Sequence, residues 1–366
     1  MRKPLSAVLA ASLVATAVPA TAQQAFRLDE IVFAGGLSPV PQAALGRSVT
    51  VITADEIRDR QIDQLPDLLR SLPGIAVNRT GGPGGLVDLR LRGTKARHVL
   101  VIMDGVRLDL PRFGGTNITG LQTADIERIE ILRGPQSVFF GSDTIGGVIS
   151  ITTTRARDPG FAGRAGVEAG SDRTIGLDFG LTQRGARGGI ALSGVLRNEG
   201  GFDVSATPGG ARDGMRIRTL NLSGDFALTE TWRIGAQLRL RNQRNEFDGF
   251  DFGAPAANVV FDQDNFDVIR ERIASVFAEG ELLDGRMELT LRPSRFRDTP
   301  TGFADAVFSS RQRHTRTEQA ARGTIALDAP TLGAARHTLA CGMNSQSGST
   351  GPRRTAPSSL SMPAGW

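Results

Sequence analysis

The sequence predicts a small α+β domain followed by an antiparallel transmembrane β-barrel, in a chain exported through a cleaved leader. Three observations carry this. The first residues have the three-part pattern of a secretory signal. Residues 47–155 mix short strand runs with capped helices. After Thr154 the pattern changes to alternation of apolar and polar side chains.

Met1-Arg2-Lys3 is a positive start, and Leu5 to Val18 is apolar apart from Ser6, Ser12 and Thr16. Ala20-Thr21-Ala22 is a small-residue cleavage site, so residues 1–22 read as a signal peptide and the mature chain begins near Gln23. The apolar run is shorter than the roughly 20 residues of a spanning helix. No later segment is long and apolar enough to span as a helix, so strands must carry any membrane crossing. Lys+Arg is 43 against Asp+Glu 38, and no basic patch alternates with aromatics, which argues against nucleic acid. Cys341 is alone, so no intramolecular disulfide can form. His98, His314 and His337 make no metal spacing. No Ser-His-Asp or Cys-His arrangement is present, and the expectation is that the protein is not an enzyme.

Asp29 to Ala34 is a short β-prone run between flexible flanks; its residues alone allow either a first strand or a peptide that adds to a partner's sheet edge. Val49 to Thr53 reads as a strand. Thr53 with Glu56 forms a capping box for a helix opening at Asp55. Leu65, Leu68, Leu69 and Leu72 share one helical face, and Pro73-Gly74 ends that helix. Ile75-Ala76-Val77 is the next strand. Gly81 to Gly85 is a flexible loop, and it lacks the lysine and following helix of a phosphate cradle. Val87, Leu89 and Leu91 alternate with polar residues, whereas Val99 to Met103 is continuously apolar and closes on an Asp104-Gly105 turn. Ile129 and Ile131 alternate with Arg128 and Glu130, and Val148 to Ile151 is the last strand of the domain.

Several runs in this region have a family likeness: Asp67-Leu68-Leu69-Arg70-Ser71-Leu72-Pro73-Gly74, Arg92-Gly93-Thr94, and Val99-Leu100-Val101-Ile102-Met103-Asp104-Gly105-Val106. Arg133-Gly134-Pro135, Gly141-Ser142-Asp143 and Ile145-Gly146-Gly147-Val148-Ile149 follow. In that order they resemble the plug domain of TonB-dependent outer-membrane receptors, and among those the vitamin B12 (cobalamin) receptors. The resemblance implies a TonB box at Asp29, Glu30, Ile31, Val32, Phe33 and Ala34, within a box-and-linker segment 23–46, and a plug at 47–155. Phe33-Ala34-Gly35 stands where the family usually shows a threonine and alanine, which blurs the end of the box. The resemblance also implies that Arg92 and Arg133 face the barrel wall and pair with glutamates there; pairing inside the plug, with Glu127 or Glu130, is the alternative. Asp203, Asp213, Asp248 and Asp262 match acidic positions of loops that hold calcium in such receptors; solvated loop aspartates are the alternative. No cofactor is required. The implied partners are TonB, a cobalamin or ferric-siderophore ligand, and outer-membrane lipid.

From 156 to 343 the alternation continues. Ile175, Leu177, Phe179 and Leu181 form one apolar side, and Trp232, Ile234, Ala236, Leu238 and Leu240 another. A lipid-facing barrel gives this pattern, and so does a soluble sandwich. Two tryptophans and no tyrosine make a thin aromatic girdle. Plugged transporters use about 22 strands. Roughly nine are readable here. Residues 344–366 lose alternation and read as an irregular, truncated or out-of-frame tail. The expectation is therefore an incomplete barrel in the outer membrane. A soluble secreted β-rich binding protein and a non-functional receptor fragment are its rivals.

Overall fold

The computed structural model describes residues 31–32, 40–41, 48–108, 116–135, 140, 144–205, 207–251, 253, 259–327 and 337–352. The leader, four of the six box residues (Asp29, Glu30, Phe33 and Ala34) and everything after Pro352 lie outside them. The other two box residues form β1 (Ile31–Val32), antiparallel to β2 (Val40–Pro41).

The small domain follows its local signals. β3 (Val49–Thr53) runs into α1 (Ala54–Arg60), where the Thr53 hydroxyl accepts the Glu56 N–H at 3.4 Å. This satisfies one of the first-turn donors that a helix leaves open. α2 (Leu65–Arg70) has Pro66 in its first turn and turns Leu65, Leu68 and Leu69 fully inward. β4 (Ile75–Thr80) and β5 (Leu86–Leu91) form a separate hairpin. β6 (Val99–Met103), β7 (Val106–Arg107), β8 (Ile126–Arg133) and β9 (Gly147–Thr153) join β3 in a sheet ordered β3-β8-β9-β6-β7. β6 and β9 are parallel. The unbroken apolar run of β6 has a simple cause: Val101 and Met103 enter the main core while Leu100 and Ile102 pack in a second cluster on the opposite face. Asp104 (φ 51°) and Gly105 (φ 80°) form the two-residue turn that joins β6 to β7.

The second half is one antiparallel sheet in chain order: β10 (Gly160–Gly170), β11 (Thr174–Arg184), β12 (Gly188–Phe202), β13 (Asp213–Ala227), β14 (Trp232–Phe250), β15 (Val260–Leu282), β16 (Met287–Ala304), β17 (Val307–Leu327) and β18 (His337–Pro352). Short turns at 185–187, 228–231 and 283–286 mark one end. The connections at 203–212 and 251–259 mark the other, called here the outer end, by analogy with the longer loops of such sheets. Leu220, Leu222, Ile234, Leu238, Val276 and Leu291 are exposed on one face. The other face meets the small domain, and Ile273 and Phe296 join its core. The apolar side of β14 is therefore turned away from the protein interior.

One expectation is corrected. The stretch read as an irregular tail from 344 is strand as far as Pro352, because β18 pairs with β17 through Gln312↔Pro352. Backbone pairing needs no apolar alternation, so serine- and glycine-rich sequence can extend a ladder already started.

Candidate functional site

The polar side of β14, which carries Gln237, Arg239, Arg241, Gln243 and Asn245, faces the small domain. Asp125 is 1 % exposed, and it accepts from Nη1 of Arg239 and, at 2.7 Å, from Nδ2 of Asn221. Arg239 also donates to Oδ1 of Asn221 at 2.8 Å. Beside it, Arg241 donates to the Thr119 carbonyl and to Oε2 of Glu271, both at 2.8 Å. These charges are out of water, so each depends on its partner to offset lost hydration.

Asp104 ties the same face together. Its carboxylate accepts from the Thr153 N–H at 3.0 Å, the Thr153 hydroxyl at 2.7 Å and Arg155 at 2.7 Å. Its carbonyl accepts from Gln237 at 2.6 Å. Nearer the outer end, Arg197 bridges Glu168 at 2.6 Å and Asp63 at 3.6 Å. Burial and the neighbouring Glu168 push the Asp63 carboxyl up to about 6, against the pull of Arg197.

Arg92 and Arg133 sit elsewhere. Arg133 is buried and donates to the Thr50 hydroxyl at 2.6 Å and the Pro73 carbonyl at 3.1 Å. Burial, then the nearby Arg92 charge, push its guanidinium below the usual arginine range. Among the described residues neither arginine has an ion pair with a carboxylate of the sheet. Contact with the sheet runs mainly the other way, from acids of the small domain to arginines of the wall. The periodicity of β14 placed those arginines on one polar face, but nothing in the sequence named Asp125 as their partner.

At the outer end the four predicted aspartates share one neighbourhood. Asp213 opens β13 and Asp248 lies near the end of β14, both beyond the nine to eleven residues of each strand that a bilayer needs. Both are 4 % exposed, and each has one carboxylate oxygen without a partner. Burial and contact with Asp248 push Asp213 up to about 7, with Asp203 adding to the repulsion. Asp203 accepts from Ser205, and Asp262 from the Ala211 N–H at 2.9 Å. The small domain reaches this cluster through its glycine loop: a Cβ at Gly82 would stand 2.9 Å from the Asp213 carbonyl. Calcium takes six to eight oxygens. Among the described residues no group of three or more His, Cys, Asp or Glu is arranged to hold a metal. The geometry thus gives a carboxylate pair with two further acids nearby.

Residues 41–148 match the family model of the TonB-dependent Receptor Plug Domain. The small domain is a TonB-dependent receptor plug. The chain is 31% identical over 249 residues to the vitamin B12 transporter BtuB of Vibrio vulnificus (strain CMCP6), a match covering 68% of this chain and 41% of that one. Among solved structures it resembles the pyoverdine outer membrane receptor FpvA of Pseudomonas aeruginosa PAO1 (TM-score 0.73, 13% identity, 87% of this chain and 48% of the other). It also resembles the siderophore receptor PiuA of Acinetobacter baumannii (TM-score 0.68, 16% identity, 89% and 48%). The plug seated on a sequentially ordered antiparallel sheet is thus the fold of these receptors, with the sheet unclosed among the described residues. The chain spans less than half the length of each of these relatives.

Proposed function

We propose that this chain serves active import across the outer membrane, as the plug-bearing portion of a TonB-dependent receptor for a bulky metal chelate. The single observation that carries the reading is the plug held against the polar face of an antiparallel sheet whose opposite face is apolar and exposed. In this reading the sheet lies in lipid, and loops at its outer end meet the ligand. TonB pairs with the Asp29–Ala34 segment by strand addition and pulls. Cobalamin is the first ligand reading, supported by the likeness to a vitamin B12 transporter; a ferric siderophore is the second, supported by the solved receptors of the same fold.

Uptake of labelled cobalamin and of labelled ferric siderophore, measured in cells with and without this chain, tests both. Dependence on neither sinks the reading. Calcium would enter through Asp213 and Asp248, which can supply two of its oxygens. Added calcium should then raise the thermal midpoint of the wild type but not of Asp213→Asn.

A further inference from the structure

The two ends of the sheet differ in charge. Across the chain Lys+Arg, at 43, outnumber Asp+Glu, at 38. The short turns at 185–187, 228–231 and 283–286 are balanced, with two acids and two bases. The outer connections with the strand ends beside them, residues 199–215 and 245–267, hold nine acids and one base, Arg212. The turns at 171–173 and 305–306 on that end add Asp172, Arg173 and Asp305.

Little within the structure offsets this excess. Arg212 is turned to the Asp172 carboxylate at 2.6 Å and the Gly201 carbonyl at 2.7 Å. Glu199 and Glu246 are answered by Arg197 at 3.3 Å and Arg244 at 3.0 Å. The charges acting most strongly on Asp213 and Asp248 are other acids: Asp203, Glu246, Asp262 and, on Asp213, Asp248 itself. The plug loop at this place, Gly81-Gly82-Pro83-Gly84-Gly85, is uncharged. Arg79, two residues before it, is bound to Gln64 at 2.8 Å and Asp67 at 3.1 Å.

A second observation points the same way. Asp213, Asp248 and Asn265 are 4 %, 4 % and 8 % exposed, and each keeps one side-chain oxygen without a hydrogen-bond donor. Buried polar atoms are paired in most proteins. All three of these are acceptors, so what completes them from outside is a donor or a cation, not an anion. Like charges gathered in a cleft with protein walls raise a potential of several kT, which draws in counter-charged molecules and holds off like-charged ones. A calcium ion at Asp213 and Asp248 would cancel two of the charges and leave the sign unchanged.

We propose that the outer mouth selects cargo by charge, admitting uncharged or cationic metal chelates and turning away polyanionic ones. This rests on the import reading given above and narrows its cargo. It keeps corrinoids without net negative charge and siderophores that carry a free ammonium when loaded with iron. It removes tricatecholate complexes, whose ferric form is a trianion.

The potential is measured first, without cargo. A nitroxide is attached to Ala211→Cys in a Cys341→Ser background of the full chain in neutral detergent, with and without added calcium. Its collision rates with dicationic nickel tris(ethylenediamine) and trianionic chromium tris(oxalate) are each scaled to those of the free label. The expected cation-to-anion ratio is about tenfold or more at low salt. It should close at about 1 M salt, where charges are screened within about 3 Å. In the variant D203N/D251N/D262N/D264N it should fall toward one. Cargo is measured second, in cells carrying the chain. Cyanocobalamin, its monocarboxylate and its aminoethyl amide form one series of single charge steps; ferrioxamine B and its N-acetyl and N-succinyl derivatives form another. In the series that is transported, initial uptake should fall from cation to neutral to anion, and the fourfold variant should bring the rates together. A wild-type collision ratio near or below one, a ratio that survives in the fourfold variant, or an anion taken up as fast as the cation overturns the proposal. If the variant does not fold, the salt dependence of the wild type decides. Transport of neither series sinks the import reading, while the collision ratio still decides whether the mouth carries this charge.

Discussion

Arg239 and Asp125 bury opposite charges between plug and wall, 3–4 % and 1 % exposed by residue or side chain. Removing one partner leaves the other charged and dry, which costs about 3–5 kcal/mol. Arg239→Ala should therefore lower the stability of the plug on the sheet by that order. The double variant with Asp125→Ala should lose less than the sum of the singles, with a coupling of about 1–3 kcal/mol in a denaturation cycle. Strict additivity would show that the pair carries no joint energy.

Asp213 makes a second prediction with a definite sign. Its folded-state value of about 7 lies above the ordinary 3.8. Between those values the folded chain still holds a proton that the unfolded chain has released. Stability therefore falls as pH rises through that window and levels off above it. Asp213→Asn should flatten the fall, leaving the variant with a midpoint about 2–4 °C above wild type at pH 8. A wild-type midpoint that rises between pH 5 and pH 7 while the variant's stays flat would contradict this.

At the level of elements, β1 holds the only described residues of the segment proposed to pair with TonB. Val32→Pro removes a backbone donor and blocks strand addition. Uptake should stop while ligand binding to isolated membranes stays at the wild-type level; loss of both would place Val32 in the binding site. In α1, Thr53→Ala should cost about 1 kcal/mol by removing the cap on Glu56.

These elements also show what is legible in sequence. The Thr53 cap, the leucine face of α2, the Asp104-Gly105 turn and the two-residue periodicity are local rules, and the structure follows them; of the capping box only the Thr53 half forms, the Glu56 carboxylate pairing with Arg60 instead. The interface is not local. The sequence shows that Arg239 and Arg241 lie on the polar side of a strand, but a polar side looks the same whether it faces water or Asp125. The likeness to receptors directs attention to Arg92 and Arg133, whereas the described bonds use acids of the plug and arginines of the wall. β18 escapes notice from 344 onward because its pairing depends on β17, not on its own pattern.

For the whole molecule, the sheet exposes an apolar face on one side and holds a polar, plug-filled face on the other. The expected outcome of cell fractionation is recovery with the outer membrane and release only by detergent. Recovery in the soluble periplasm would favour a secreted binding protein instead.

The strand order of the plug has a mechanical consequence. β3 is an edge strand, joined by its ladder to β8 alone through five residue pairs. The groups that grip the wall, Asp104, Thr119 and Asp125, all come later in the chain. A tug on the chain ahead of Val49 would reach this short ladder before the buried arginine anchors. Its rungs can give way in succession, so the leading segment would peel off while the rear stays moored.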